Sequence, residues 1–353
     1  MELWQGHTKP QNLRQSIKGI NLDKLPIQRD TELLNLAKND REREKFLNNI
    51  NKILSQTPDC LDEESTNNRM HVGKQGMNSI VQFLNPGSDS TKLTSIVAGI
   101  LLNLCFEDIN VQHFLELNCT ENLVLCLLID DIQLQTNAAG AIQSICYHQR
   151  GKIAIRDAGG IEALSHLLSS KDSRLVTRVV GSLHNISSEI STAPIILSCG
   201  SVPHLVHLLD SHQPAIVHAA AGTIQNITCY PQARVEVESQ GAIVPLLKLL
   251  VGFDPQITSC AIGAMLNLWR ERFPDPNSVS SPDSNVDQTD DQGSNAKNKI
   301  KLVHPGMKKL LELAVTLGSA YNLFFPNETP QINFPLQPSM NLQTNAKEAS
   351  VIQ

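Results

Sequence analysis

Between residues 213 and 229 the apolar positions follow the pitch of an α-helix. Val217, Ala220, Ala221, Ile224 and Ile227 fall at i, i+3, i+4, i+7 and i+10, one stripe down a helix. His218, Gly222, Gln225 and Asn226 fall at i, i+4, i+7 and i+8, a second stripe that is polar. A short helix is predicted around Val235, then a corner at Gly241, then an apolar helix AIVPLLKLL ending at Leu250. No one of these three helices can bury its apolar face alone.

The unit recurs in frame. Gly99, Gly140, Gly181, Gly222 and Gly263 are each 41 residues apart, and so are Asn103, Ser144, Asn185, Asn226 and Asn267. The pattern predicts ladder helices at 91–105, 132–147, 172–188, 213–229 and 254–270. Connecting helices are expected to begin near Val111, Ile153, Ala193 and Val235. Corners fall at Asn118, Gly159, Gly200 and Gly241, residue types that accept a left-handed backbone. A fixed period in the forties built from helices marks a helical solenoid, in which each repeat completes its core against its neighbour.

The flanks are less regular. Residues 1–39 read as an extension in which Ile17, Ile20, Leu22, Leu25 and Ile27 could cap the first repeat. From Asp40, Phe46, Leu47, Ile50, Ile53 and Leu54 form a stripe resembling a degenerate ladder helix, within a solenoid expected over 40–317. A polar interruption follows at 58–69, and the phase resumes near Gly76-Met77. The acidic, aromatic-free stretch 274–298 is expected to be a disordered insertion. Residues 299–317, with Leu302, Leu310 and Leu313 at helical spacing, supply a closing cap, and 318–353 a mobile Pro-containing tail.

The alternation of AAG-x-x-x-N, a corner and G-x-I-x-x-L-x-x-L-L resembles the armadillo repeat, most closely in NAAGAIQSICYHQRGKIAIRDAGGIEALSHLL at 137–168. The resemblance implies an all-α, armadillo-type α-solenoid: a right-handed superhelix of three-helix repeats whose ladder helices line a concave groove. In that family the ladder Asn hydrogen-bonds the backbone of an extended peptide. Carried over by position, the groove residues are Asn103, Asn185, Asn226 and Asn267, with Ser144 as a shorter substitute. Nuclear-import receptors of the family place Trp four residues before that Asn. All five such positions here are Gly, so the repeats resemble those of catenins, and recognition of nuclear localisation signals is not expected. The ladder adds scattered cations at Arg178, His184, His218 and Arg270.

Composition narrows the function classes. Formal net charge is −6, of which five negative charges lie in residues 274–296, a stretch with no Lys or Arg, leaving −1 elsewhere. A nearly neutral body lacks the clustered basic face that nucleic acid requires. The eight cysteines occur singly and mostly in apolar stretches, as buried free thiols do. With no signal segment and no apolar run of membrane-spanning length, the expectation is a cytoplasmic protein, the nucleus staying open as a second compartment. His204, His207 and His212 with Asp210 invite a zinc site, but no further pair completes a tetrahedral set, so neither metal nor cofactor is expected. No phosphate-binding Gly loop, G-x-S-x-G or H-E-x-x-H motif occurs, and no enzyme is expected.

Two points stay open at this level. Mid-helix Gly costs about 1 kcal/mol relative to Ala, so the Gly ladder serves either close packing within the repeat or an open floor for a partner's backbone. The chain itself is either an adaptor holding an extended segment of a protein partner, or a fixed subunit of a larger assembly docking by its convex face or ends. In both, it is expected to act as a monomer within a hetero-complex.

Overall fold

The computed structural model describes residues 25–55, 63–88, 90–250, 252 and 254–269. Among them are sixteen α-helices, two short 3-10 turns and no strand. The chain divides into two compact units, one ending at Pro245 and the other beginning at Leu246. The expected insertion, closing cap, C-terminal tail, Arg270 and Cys60 lie outside the described residues.

In the first unit α1 (Pro26–Leu36), α2 (Asp40–Ser55) and α3 (Glu63–Val81) precede the regular repeats. The repeats comprise α4 (Thr91–Leu104), α5 (Asp108–Glu116) and α6 (Thr120–Leu125); α7 (Ile132–Ile145), α8 (Gln149–Asp157) and α9 (Gly160–Leu167); α10 (Ser173–Ser187), α11 (Ala193–Ser198) and α12 (Val202–Leu208); and α13 (Pro214–Ile227) with α14 (Pro231–Ser239). The closing helix α15 (Ile243–Leu249) carries the boundary between the units. Each ladder helix starts and stops within two residues of the predicted span. Connecting helices α5, α8 and α14 begin three or four residues before the positions predicted for them.

The starts have a local cause. Ser90, Asp131, Asp172, Gln213 and Asp254 immediately precede the first turns, at the same 41-residue spacing. Asp131 accepts from the Leu134 N–H at 2.7 Å, and Asp172 from those of Arg174 and Leu175 at 2.9 and 3.2 Å. Each such cap contributes about 1 kcal/mol. Where Gln213 offers no cap, Pro214 presets the first helical φ. The corners are left-handed: Asn118 has φ 54°, Gly159 77°, Gly200 67° and Gly241 77°.

Ladder helices α2, α4, α7, α10 and α13 stack in chain order, each against the next. The stripe predicted in α13 is buried at all five positions, and Ile142, Ile145, Val179, Val180, Leu183 and Ile186 fill the layers before it. A Leu- or Ile-sized side chain contributes about 1.5–3 kcal/mol when buried, so stability resides in these inter-repeat layers.

The N-terminal end departs from the pattern. Helix α1 starts at Pro26 and packs on α2 and α3 with Ile27 and Leu34 buried, whereas Leu25 is exposed. The segment 63–69, read as part of a polar interruption, is the first two turns of α3. That helix runs without a corner through Gly76 and Met77. The corner position by period is Met77, which is fully buried and cannot take a left-handed backbone cheaply. The first unit of the stack is therefore a two-helix version of the later three-helix repeats.

In the second unit α16 (Pro255–Trp269) is capped by Asp254, which accepts from the Gln256 and Ile257 N–H groups at 2.9 and 3.2 Å. It buries Ile257, Cys260, Ala261, Ala264, Met265 and Leu268. Asn267 stands on its half-buried face.

Candidate functional site

The C-terminal turn of an α-helix has four carbonyls without intrahelical donors. The ladder residues answer this need one repeat away. Ser144 Oγ donates to Leu102 O at 2.9 Å, Asn185 Nδ2 to Gln143 O at 2.8 Å, and Asn226 Nδ2 to His184 O at 3.4 Å and to Ser187 Oγ at 3.0 Å. Each accepting carbonyl lies in the last turn of the preceding ladder helix. Asn103 is the exception: its Nδ2 bonds Gly99 O of its own helix at 3.1 Å. The ladder thus clasps repeat to repeat, and the side-chain oxygens of Asn103, Asn185 and Asn226 accept no hydrogen bond among the described residues.

The Gly ladder serves the same interface. A Cβ at Gly140 would overlap the Leu102 side chain, one at Gly181 the Gln143 amide and one at Gly222 the His184 imidazole. Each intruder is the residue just before a rung on the preceding ladder helix. These three glycines are packing positions, between repeats rather than within one, whereas Gly99 lines the cleft between α2 and α10, where a Cβ would meet the Nδ2 atoms of Asn51 and Asn137 at 3.3 Å.

Between α2 and α10 the ladder faces enclose a cleft of about 550 Å³. Asn103, Ser144, Asn185 and Arg178 line it, so the structure brings together four of the predicted groove residues. Asn226 sits one repeat further along and outside it. Sequence reasoning missed Asn51, Arg69, Phe106, Asn137, Gln143 and Tyr147 on the same walls. Phe106 and Tyr147 had a legible signal: they lie 41 residues apart, three past a rung, in a chain that is only 4% aromatic. They are 45% and 77% exposed, costly for rings unless something covers them. Among the described residues no Asp or Glu lines the cleft.

Charge in the cleft differs from the expectation. Arg178 Nη1 donates to Gln143 Oε1 at 3.1 Å and is paired with no carboxylate among the described residues. Arg69 is neutralised by Glu107 at 2.6 Å. His184, read from the sequence as one of the ladder's cations, is held neutral, because burial and the neighbouring His218 push its pKa down to about 4. The two rings meet edge-on with centroids 5.4 Å apart.

That depression sets a pH dependence. His184 takes a proton at its ordinary pKa near 6.5 when unfolded but only near 4 when folded. Between these values the unfolded chain binds more protons, so this contribution is intact above pH 6.5 and is lost as pH falls towards 4. By pH 5 the loss should be about 2 kcal/mol. Urea melts at pH 7.5 and 5 should show it, and His184→Gln should shrink the difference. An unchanged difference in the variant would assign the acid sensitivity elsewhere.

Among the described residues no group of three His, Cys, Asp or Glu side chains is placed to hold a metal, and His204 and His207 are exposed. No helix among them is long and apolar enough to cross a membrane. Among the described residues the seven cysteines are free thiols, four of them buried, and burial pushes Cys126 up to about 12. Cys229 is exposed.

The profile described as the plant U-box protein ARM repeat region matches residues 30–279, well over half of the chain. The chain is an armadillo-repeat protein. Solved structures agree with this armadillo fold. An engineered protein is 25% identical, with TM-score 0.61, covering 69% of this chain and 97% of its own. A designed armadillo repeat protein superimposes at TM-score 0.61 with 19% identity, over 69% of this chain and 99% of its own. Another, solved in complex with the peptide (KR)4, gives TM-score 0.58 and 19% identity over 69% and 99%. A comparison with curated proteins finds no match. The armadillo fold commonly mediates protein–protein binding and generally serves as a non-catalytic scaffold.

Proposed function

We propose that this armadillo-repeat chain is a non-catalytic adaptor that holds an extended segment of a partner protein across its ladder helices, as a monomer within a hetero-complex in the cytoplasm. The cleft carries the reading: Asn103, Ser144 and Asn185 stand in one row on its wall, and two of them keep a carboxamide oxygen able to accept from a peptide N–H. One designed relative of the same fold was solved with a peptide, which supports the reading. Asn226 and His218 would extend the row beyond the cleft.

The rungs differ in what a mutation tests. Asn185 and Asn226 hold repeats together, so Asn185→Ala should cost about 1–2 kcal/mol by leaving Gln143 O unsatisfied, and Asn226→Ala about 1 kcal/mol, since Ser187 Oγ still donates to His184 O at 2.8 Å. Asn103 bonds only within its own helix, so Asn103→Ala should leave urea melting nearly unchanged. Peptides selected on the folded full chain from a displayed random library should nevertheless bind Asn103→Ala several-fold more weakly. Selected peptides that bind wild type and Asn103→Ala equally would overturn the groove reading.

A second reading has its own observation. Leu125 and Leu128, and separately Val235 on α14, are 46%, 60% and 71% exposed. A fixed subunit of a larger assembly, ciliary, cytoskeletal or ubiquitin-ligase, would dock through such a face. Equal binding by Asn103→Ala together with loss on Val235→Asp would favour it.

A further inference from the structure

The cleft is chemically lopsided, and that asymmetry bears on what it holds. Phe106 and Tyr147 occupy the same place in consecutive repeats, just past the ends of α4 and α7, and both rings are exposed. Arg178 reaches back from α10 over the middle of α7, where its Cδ lies 3.5 Å from the position of a Cβ on Gly140. The guanidinium itself meets Gln143, four residues before Tyr147, so it stands roughly 6 Å from the aromatic rim along the helix direction. A segment crossing the ladder helices would run between them. Successive side chains of an extended segment point to opposite sides, so neighbouring residues would face the two ends.

Building on the groove reading above, we propose that the segment bound here carries an acidic residue directly adjacent to an aromatic or large aliphatic one. The apolar side chain covers Phe106 and Tyr147, and the carboxylate pairs with Arg178. Charge complementarity selects this occupant. Among the described residues the wall holds two arginines and no carboxylate, one arginine is already paired with Glu107, and Arg178 is met by the neutral Gln143 amide. A guanidinium in a half-enclosed site gains most from a carboxylate that can take two of its N–H groups. The exposed rings offer apolar area that a partner side chain can cover. A lysine- or arginine-rich peptide such as the one held by a designed relative would place like charge against Arg178.

The test uses the full chain and three labelled octapeptides in fluorescence anisotropy: alternating Asp-Phe, alternating Asp-Ala and alternating Lys-Phe. Asp-Phe should bind at least about tenfold more tightly than either of the others. Tyr147→Ala and Arg178→Gln should each weaken Asp-Phe binding about tenfold, with Tyr147→Ala leaving the Asp-Ala affinity unchanged and Arg178→Gln removing the preference over Lys-Phe. Circular dichroism melts confirm that both variants are folded. Equal binding of Asp-Phe and Lys-Phe, or binding indifferent to both substitutions, overturns the proposal while leaving the groove reading intact. Failure of all three peptides, alongside library peptides that bind equally to Asn103→Ala, overturns both.

Discussion

Replacing Gly151 with alanine should destabilise the protein by about 3 kcal/mol, although helix propensity alone predicts a gain of about 1 kcal/mol. Gly151 lies in the first turn of α8, where a Cβ would overlap Ile145 O and sit 2.7 Å from Ile145 C. Both are backbone atoms at the end of α7 and cannot swing aside. The equivalent positions in neighbouring repeats show what this site is for. Asn110 Nδ2 donates to Leu104 O at 2.9 Å and Thr192 Oγ1 to Ile186 O at 3.3 Å, in each case six residues back. Asn and Thr reach the terminal carbonyl of the ladder helix with a side chain. At Gly151 the backbone itself comes so close that no side chain fits. In a chain of this size the loss should lower the melting temperature by roughly 6–12 °C. A Gly151→Ala protein melting at or above wild type would show that α8 can shift at little cost.

Removing the Arg69 guanidinium should be comparably damaging. Arg69 is 4% exposed. Its Nε and Nη2 reach Glu107 Oε1 at 2.7 and 2.6 Å, Nη2 also donates to Thr66 Oγ1 at 3.1 Å, and Cζ lies 5.4 Å from the Phe106 ring centroid. This pair ties α3 to the residue that precedes α5. Arg69→Ala should cost about 3 kcal/mol, since it strands a largely desolvated carboxylate. Arg69→Met with Glu107→Gln should recover much of that loss, because no buried charge then lacks a partner. The check is a urea melt of wild type, single and double variants. Hydrogen exchange should show α1, α2 and α3 losing protection before the central repeats. A cost below about 0.5 kcal/mol for Arg69→Ala would place the pair among ordinary exposed ion pairs.

The repeating part of the chain was legible because its causes are local. Apolar spacing marks each ladder helix, and Asn118, Gly159, Gly200 and Gly241 mark corners that need a left-handed backbone; the caps at Asp131, Asp172 and Asp254 that the structure shows are local in the same way. None of these requires knowing what lies across an interface. The same reasoning erred at the N-terminal end, where 63–69 looked like a polar interruption. Its polar residues include Arg69, which is buried against Glu107, 38 residues later, whose carboxylate neutralises it. A partner that distant leaves no trace in a local pattern.

The site divides along the same line. The 41-residue period by itself determined that Asn103, Ser144, Asn185 and Asn226 stand in one row, since a helical repeat returns each position to the same face. What those side chains bond was decided only by tertiary structure. Stacking places the end of one ladder helix beside the rung of the next, so Ser144, Asn185 and Asn226 satisfy carbonyls 42 residues away. It lays Leu102, Gln143 and His184 over the glycines that the sequence showed only as a costly regularity. It also withdraws His184 from water and so removes a charge that its position on the ladder had suggested. Periodicity fixes direction along a helix. Hydrogen-bond partners and protonation depend on what approaches from the next repeat.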